Sequence, residues 1–252
     1  MKPKHFQREL RYIGWTDQVS TGKKIYLLIE FFTLFLFLPA LIFYNWMPFS
    51  KIGVLLGFTV LCAILLYYDK SFNTQKLWNF RGLKKSWRGI LLRFIPATVI
   101  LTLVIAMLEP EMLFNMVIDD FYTWLFIIIF YPLFSVYPQE LIYRCFLFHR
   151  YEPLFPRQRF MTHVSALTFG YLHIIFGNYQ AVFLTYGAGY LFGRTYAETK
   201  SLLAVSFEHS LYGILIFTIG FNHYFLNSVV LDLNIFFADY IKHAGDFLSF
   251  LG

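Results

Sequence analysis

Residues 137–151 read YPQELIYRCFLFHRY. Glu140 and Arg144 stand here inside an apolar run from about Phe121 to Phe148, which is long enough to cross a bilayer as a helix. A charge at the bilayer centre costs roughly 2.5–3.5 kcal/mol on insertion scales, so such residues face a protein interior and commonly carry function. Two further stretches repeat the anomaly, His173 in FGYLHIIFGN and His209 in SFEHSLYG.

The rest of the chain supports a membrane setting. It has 252 residues, of which 58% are hydrophobic, 22% aromatic and only 14% charged. A soluble domain is nearer a quarter charged. The 32 Phe and 18 Tyr exceed what one globular core holds, whereas lipid-facing helices and interfacial belts take them readily. The net charge of +6 does not indicate nucleic-acid binding, because Lys and Arg cluster in loops beside apolar spans. Cys62 and Cys145 both lie inside apolar stretches and imply no disulfide framework.

Apolar runs start at Ile25, Ile52, Ile90 and about Phe121, and again near Phe160, Gln180 and Leu202. With a weaker candidate near Asn227, the expected fold is all-α, a polytopic bundle of about eight transmembrane helices. The last candidate, interrupted by Asp232 and Asp239, also fits a helix lying flat at the interface. Residues 1–24 form a polar, basic tail and residues 25–252 a single transmembrane domain. Within the tail, QRELRYIGWTDQV is a candidate interfacial helix, with Tyr12 and Trp15 at the lipid boundary. The tail carries Lys2, Lys4, Arg8, Arg11, Lys23 and Lys24; the loop after the second span carries Lys70, Lys76, Arg81, Lys84, Lys85 and Arg88. The intervening NWMPFSK loop has one Lys and EPEMLFNMVIDD has none, so the N-terminus is expected on the cytoplasmic side.

At 1.5 Å of rise per residue, Glu140 lies roughly 15 Å, His209 about 12 Å and His173 roughly 20 Å from the cytoplasmic face. Three helices thus bring a carboxylate and two imidazoles to similar depths, provided that Pro132 and Pro138 kink a long fourth helix. Glu140 and Arg144, four apart, share a helix face and can pair. A carboxylate and a His sharing a water can move its proton, and a second His can donate to a developing oxyanion. The same residues also fit a structural ion pair and two hydrogen-bonded interior histidines. His149 and His163 read as interfacial, Glu30 and Arg93 as span-end residues that snorkel, and Gly187, Gly189 and Gly193 as a small-residue packing face. No HExxH spacing occurs, and a metal-free site without cofactor is expected.

In these residues the chain resembles the CPBP family of intramembrane proteases, which includes the CAAX prenyl endopeptidases and bacteriocin-processing or immunity proteins. That family is marked by EExxxR, FxxxH and HxxxN or HxxxD on successive helices. Here the first is Gln139-Glu140-Leu141-Ile142-Tyr143-Arg144, the second Phe169-Gly170-Tyr171-Leu172-His173, and the third keeps His209 with Gly213 four residues on. The resemblance covers about residues 121–217. It implies a glutamic-type endopeptidase of a bacterial inner membrane that cleaves a membrane-associated peptide or protein. Gln139, in the place of the first Glu, cannot act as a base. Glu140 is then expected to activate water with His173, with His209 donating to the oxyanion, Arg144 balancing Glu140, and Glu208 as a further carboxylate. The alternative is a silent member of the family that holds a peptide, lipid or partner protein.

Overall fold

The computed structural model describes residues 19–225; the candidate interfacial helix of the tail and the candidate span near Asn227 lie outside them, apart from the tail's last residues. Among the described residues every regular element is helical. The main helices are α1 (Thr21–Phe43), α2 (Lys51–Tyr68), α3 (Phe80–Leu108), α4 (Phe121–Arg150), α5 (Gln158–Leu172), α6 (Tyr179–Thr199) and α7 (Leu202–Ile219). Five of them, α1 to α4 and α7, are long and apolar enough to cross a membrane. The other two expected spans differ. α5 has only 15 residues, and α6 carries too many polar side chains among its 21.

Local sequence explains where these helices start. Ser20, Ser50, Asn79, Asp120, Asn178 and Ser201 each precede a helix and accept a hydrogen bond from the backbone N–H three residues on. Such a cap satisfies a donor that the helix itself leaves unpaired. α7 stops at Gly220, whose φ of +113° suits glycine, and where a Cβ would run into the Met112 carbonyl.

α4 is the irregular helix. Pro132 and Pro138 supply no backbone N–H, and the helix widens to π-helical turns over Pro132–Val136 and Leu141–Phe146, with Tyr137–Glu140 between them. α2 packs on one side of this segment and α7 on the other. α5 and α6 form a close pair because Gly189 and Gly193 let Ala166, Phe169 and Thr162 of α5 approach the α6 backbone; Gly187 has no such neighbour. α3 lies against α7 and α6.

Two expected snorkelling residues are instead paired inside the protein. Glu30 takes two hydrogen bonds from Arg150, at 2.9 and 2.8 Å, and one from the Tyr151 hydroxyl at 3.0 Å. Arg93 reaches inward to Glu208 and Thr195, both at 2.9 Å. A guanidinium or carboxylate near a span end is cheaper to pair than to leave beside lipid when a partner lies within reach.

Candidate active site

The two adjacent residues Gln139 and Glu140 point to different surroundings. Glu140 turns toward α7 and is fully buried. Arg144 Nε lies 3.1 Å from Glu140 Oε2, and His209 Nδ1 lies 2.8 Å from Glu140 Oε1. The Arg144 guanidinium, also without exposure, donates to Ser165 Oγ at 3.1 Å and to the Gly189 carbonyl at 3.4 Å. Its flat face lies 5.0 Å from the Phe169 ring centroid. The i,i+4 spacing therefore yields an ion pair anchored to α5 and α6 as well as to α7.

His209 is held on every side. Its ring stacks on Phe192 at 4.6 Å and meets the edge of Phe169 at 5.5 Å. The Tyr131 hydroxyl lies 3.1 Å from Nε2. Facing a guanidinium, the Glu140 carboxylate can only accept, so His209 carries its proton on Nδ1 and offers Nε2 as an acceptor to Tyr131. Gly213, one turn after His209, leaves the space that the Tyr131 ring fills; a Cβ there would collide with the ring and its hydroxyl.

Gln139 turns the other way. It lines a cavity with His173 and Ser135, walled by apolar residues of α1 and α2 such as Leu38, Ile42 and Leu55. Its amide donates to Ser135 Oγ at 2.7 Å, and its own oxygen is buried without a protein partner. His173, one turn after Phe169 at the end of α5, presents Nδ1 to the Phe169 carbonyl at 2.7 Å. A carbonyl only accepts, so Nδ1 carries the proton and Nε2 keeps its lone pair. The Phe169 ring touches both imidazoles, 4.7 Å from His173 and 5.5 Å from His209. Glu140 and His209 are not among the cavity-lining residues.

Glu208 is also fully buried, but it faces Arg93 on α3 rather than the cavity. No group of three His, Cys, Asp or Glu among the described residues is arranged to hold a metal ion. Sequence reasoning missed Tyr131. It sits in FYTWLFIIIFY, where one Tyr looks like any other, and its only signal was the glycine four residues after His209.

Residues 120–215 match the family model of type II CAAX prenyl endopeptidase Rce1-like proteins, in agreement with the resemblance to the CPBP family. That interval contains all three motif segments and α4 to α6 whole, with most of α7. No curated protein and no solved structure matches the chain. The match, together with the apolar helices, makes this a CAAX-protease-like integral membrane protein.

Proposed function

We propose that the protein is an intramembrane endopeptidase that hydrolyses a peptide bond of a membrane-associated substrate, with Gln139 and His173 holding the attacking water. One observation carries this reading: Gln139 and His173 line the same cavity, and each has an acceptor atom left over, Gln139 Oε1 and His173 Nε2. A water donating one proton to each would turn its lone pairs toward a carbonyl carbon. His173 Nε2 takes the proton as the water adds, and returns it to the leaving amine as the C–N bond breaks. Glu140 then acts through His209, which it orients, rather than on the water. The bilayer is that of a bacterial inner membrane, with the N-terminus on the cytoplasmic side. Single cysteines at Asn73 and Glu111 should react with an impermeant thiol reagent from opposite faces, and labelling from one face would defeat this orientation.

A second reading is favoured by a specific observation: none of the residues lining the cavity is Asp or Glu. A site without a carboxylate base suits a silent binding protein, with the cavity holding an apolar chain. The two readings part on Gln139→Glu and His173→Ala. Purified protein in liposomes would be given a prenylated CAAX-type peptide and an unlipidated apolar peptide, each internally quenched. The endopeptidase reading expects slow cleavage by the native protein, at least about tenfold faster cleavage by Gln139→Glu, and none by His173→Ala, since a positioned base supplies roughly 10²–10⁴ in rate. Absence of cleavage of either peptide by folded native protein and by folded Gln139→Glu would leave the binding reading.

A further inference from the structure

The buried network ends in a hydroxyl that neither the motifs nor the cavity singles out. It runs from Arg144 to Glu140, on to His209, and then to Tyr131, with separations of 3.1, 2.8 and 3.1 Å. Counting protons along it decides which group can donate outward. Glu140 is held as an acceptor by Arg144 and takes the Nδ1 proton of His209. Neutral His209 then has only a lone pair at Nε2, and Tyr131 O–H donates to it. If His209 is protonated instead, its Nε2–H donates to the Tyr131 oxygen, and the phenolic proton is freed to point elsewhere. In neither state is His209 the outermost donor, because Tyr131 stands against its only remaining nitrogen.

We propose that the Tyr131 hydroxyl, rather than the His209 imidazole, is the hydrogen-bond donor that this site presents to the oxygen of a bound peptide carbonyl. Three observations hold that hydroxyl in place. The Tyr131 ring packs edge-on against Phe217 of α7, with centroids 5.4 Å apart. Gly213 supplies the recess in α7 that the ring occupies. Tyr131 is the last residue before the π-helical turn at Pro132, where the backbone of α4 widens. It also keeps part of its surface exposed, as a group meeting a substrate must, whereas Glu140 is fully enclosed. Because the hydroxyl rotates about one bond, it can leave Nε2 for a carbonyl oxygen without moving any ring. No covalent step is added. As water attacks, the carbonyl oxygen gains negative charge and the O–H dipole stabilises it, while the proton leaves by way of His173.

The inference rests on the hydrolase reading for its catalytic role, but the donor itself can be tested by binding. A peptide phosphonamidate, whose tetrahedral oxyanion mimics the addition intermediate, serves as the probe, with affinity measured by titration calorimetry in detergent. Tyr131→Phe keeps the ring and removes the hydroxyl. It should weaken the phosphonamidate by at least about tenfold while leaving the affinity for the parent peptide within about twofold. Where cleavage is measurable, kcat should fall about 10²–10³-fold with KM little changed, as for loss of one oxyanion donor. A double variant, Tyr131→Ala with Gly213→Asn, places an amide donor in the same recess and should bind the probe more tightly than Tyr131→Ala alone. Tyr131-dependent probe binding without cleavage would uphold the donor and sink the endopeptidase. Cleavage unchanged in Tyr131→Phe would do the reverse. A phosphonamidate that fails to bind, or that binds Tyr131→Phe as well as the native protein, overturns the inference; thermal melts confirm that each variant is folded.

Discussion

α3 and α7 both read as apolar membrane spans, yet only 11% of the apolar window of α3 is buried inside the protein, against 56% for α7. The difference sorts their polar residues. α7 carries Ser206, Glu208, His209 and Tyr212 in its interior, and among them Glu208 meets Arg93 while His209 meets Glu140 and Tyr131. Across the exposed stretch of α3, from Ile95 through Leu103 to Leu108, the lipid-facing side is continuous hydrocarbon. Apolarity alone therefore says that a helix can enter a bilayer, and the ionisable residues say which helix is surrounded by protein. Lipid offers a charge nothing, whereas neighbouring helices offer hydrogen bonds.

The contrast can be broken most forcefully at Arg144. Arg144→Ala strands the Glu140 carboxylate in a dry interior, and the loss should be about 3–5 kcal/mol, the range for breaking a buried pair by removing one partner. Leu103→Ala on the exposed side of α3 should change stability by under about 0.5 kcal/mol. Reversible unfolding in mixed micelles would report both, and comparable losses at the two positions would erase the distinction drawn here.

Glycines sharpen the same point at smaller amplitude. Gly213→Ala puts a methyl group into the Tyr131 ring, so a loss of about 1–3 kcal/mol from overpacking is expected. Gly57 of α2 has open space where its Cβ would lie, and Gly57→Ala should be neutral or stabilising by up to about 1 kcal/mol. A Gly213→Ala protein as stable as the native one would mean that Tyr131 can vacate the recess without loss.

Much of this was legible in the chain. The Glu140–Arg144 pair follows from i,i+4 spacing, and the approach of His209 follows from its depth in a span. Helix phase was not legible. Gln139 and Glu140 are neighbours on an irregular helix, and which of them meets the cavity depends on how far the turns around Pro132 and Pro138 unwind. The inward pairing of Arg93 and Glu30 escaped for a related reason: snorkelling and pairing look alike until the partner helix is in place. Tyr131 escaped because its signal was an absent side chain on another helix.

The paired π-helical turns of α4 carry a consequence for how such a protein can change over generations. A π turn is an α-helix holding one surplus residue, and it tolerates losing that residue because hydrogen bonding becomes regular again. Each residue advances an α-helix by about 100°, so deleting one position within Pro132–Val136 would swing Tyr137–Glu140 round by that angle relative to the preceding half of α4. A one-codon deletion there, with no substitution at all, could exchange the amide and the carboxylate between cavity and core, so the chemistry of this cavity is open to change by insertion and deletion as much as by point mutation.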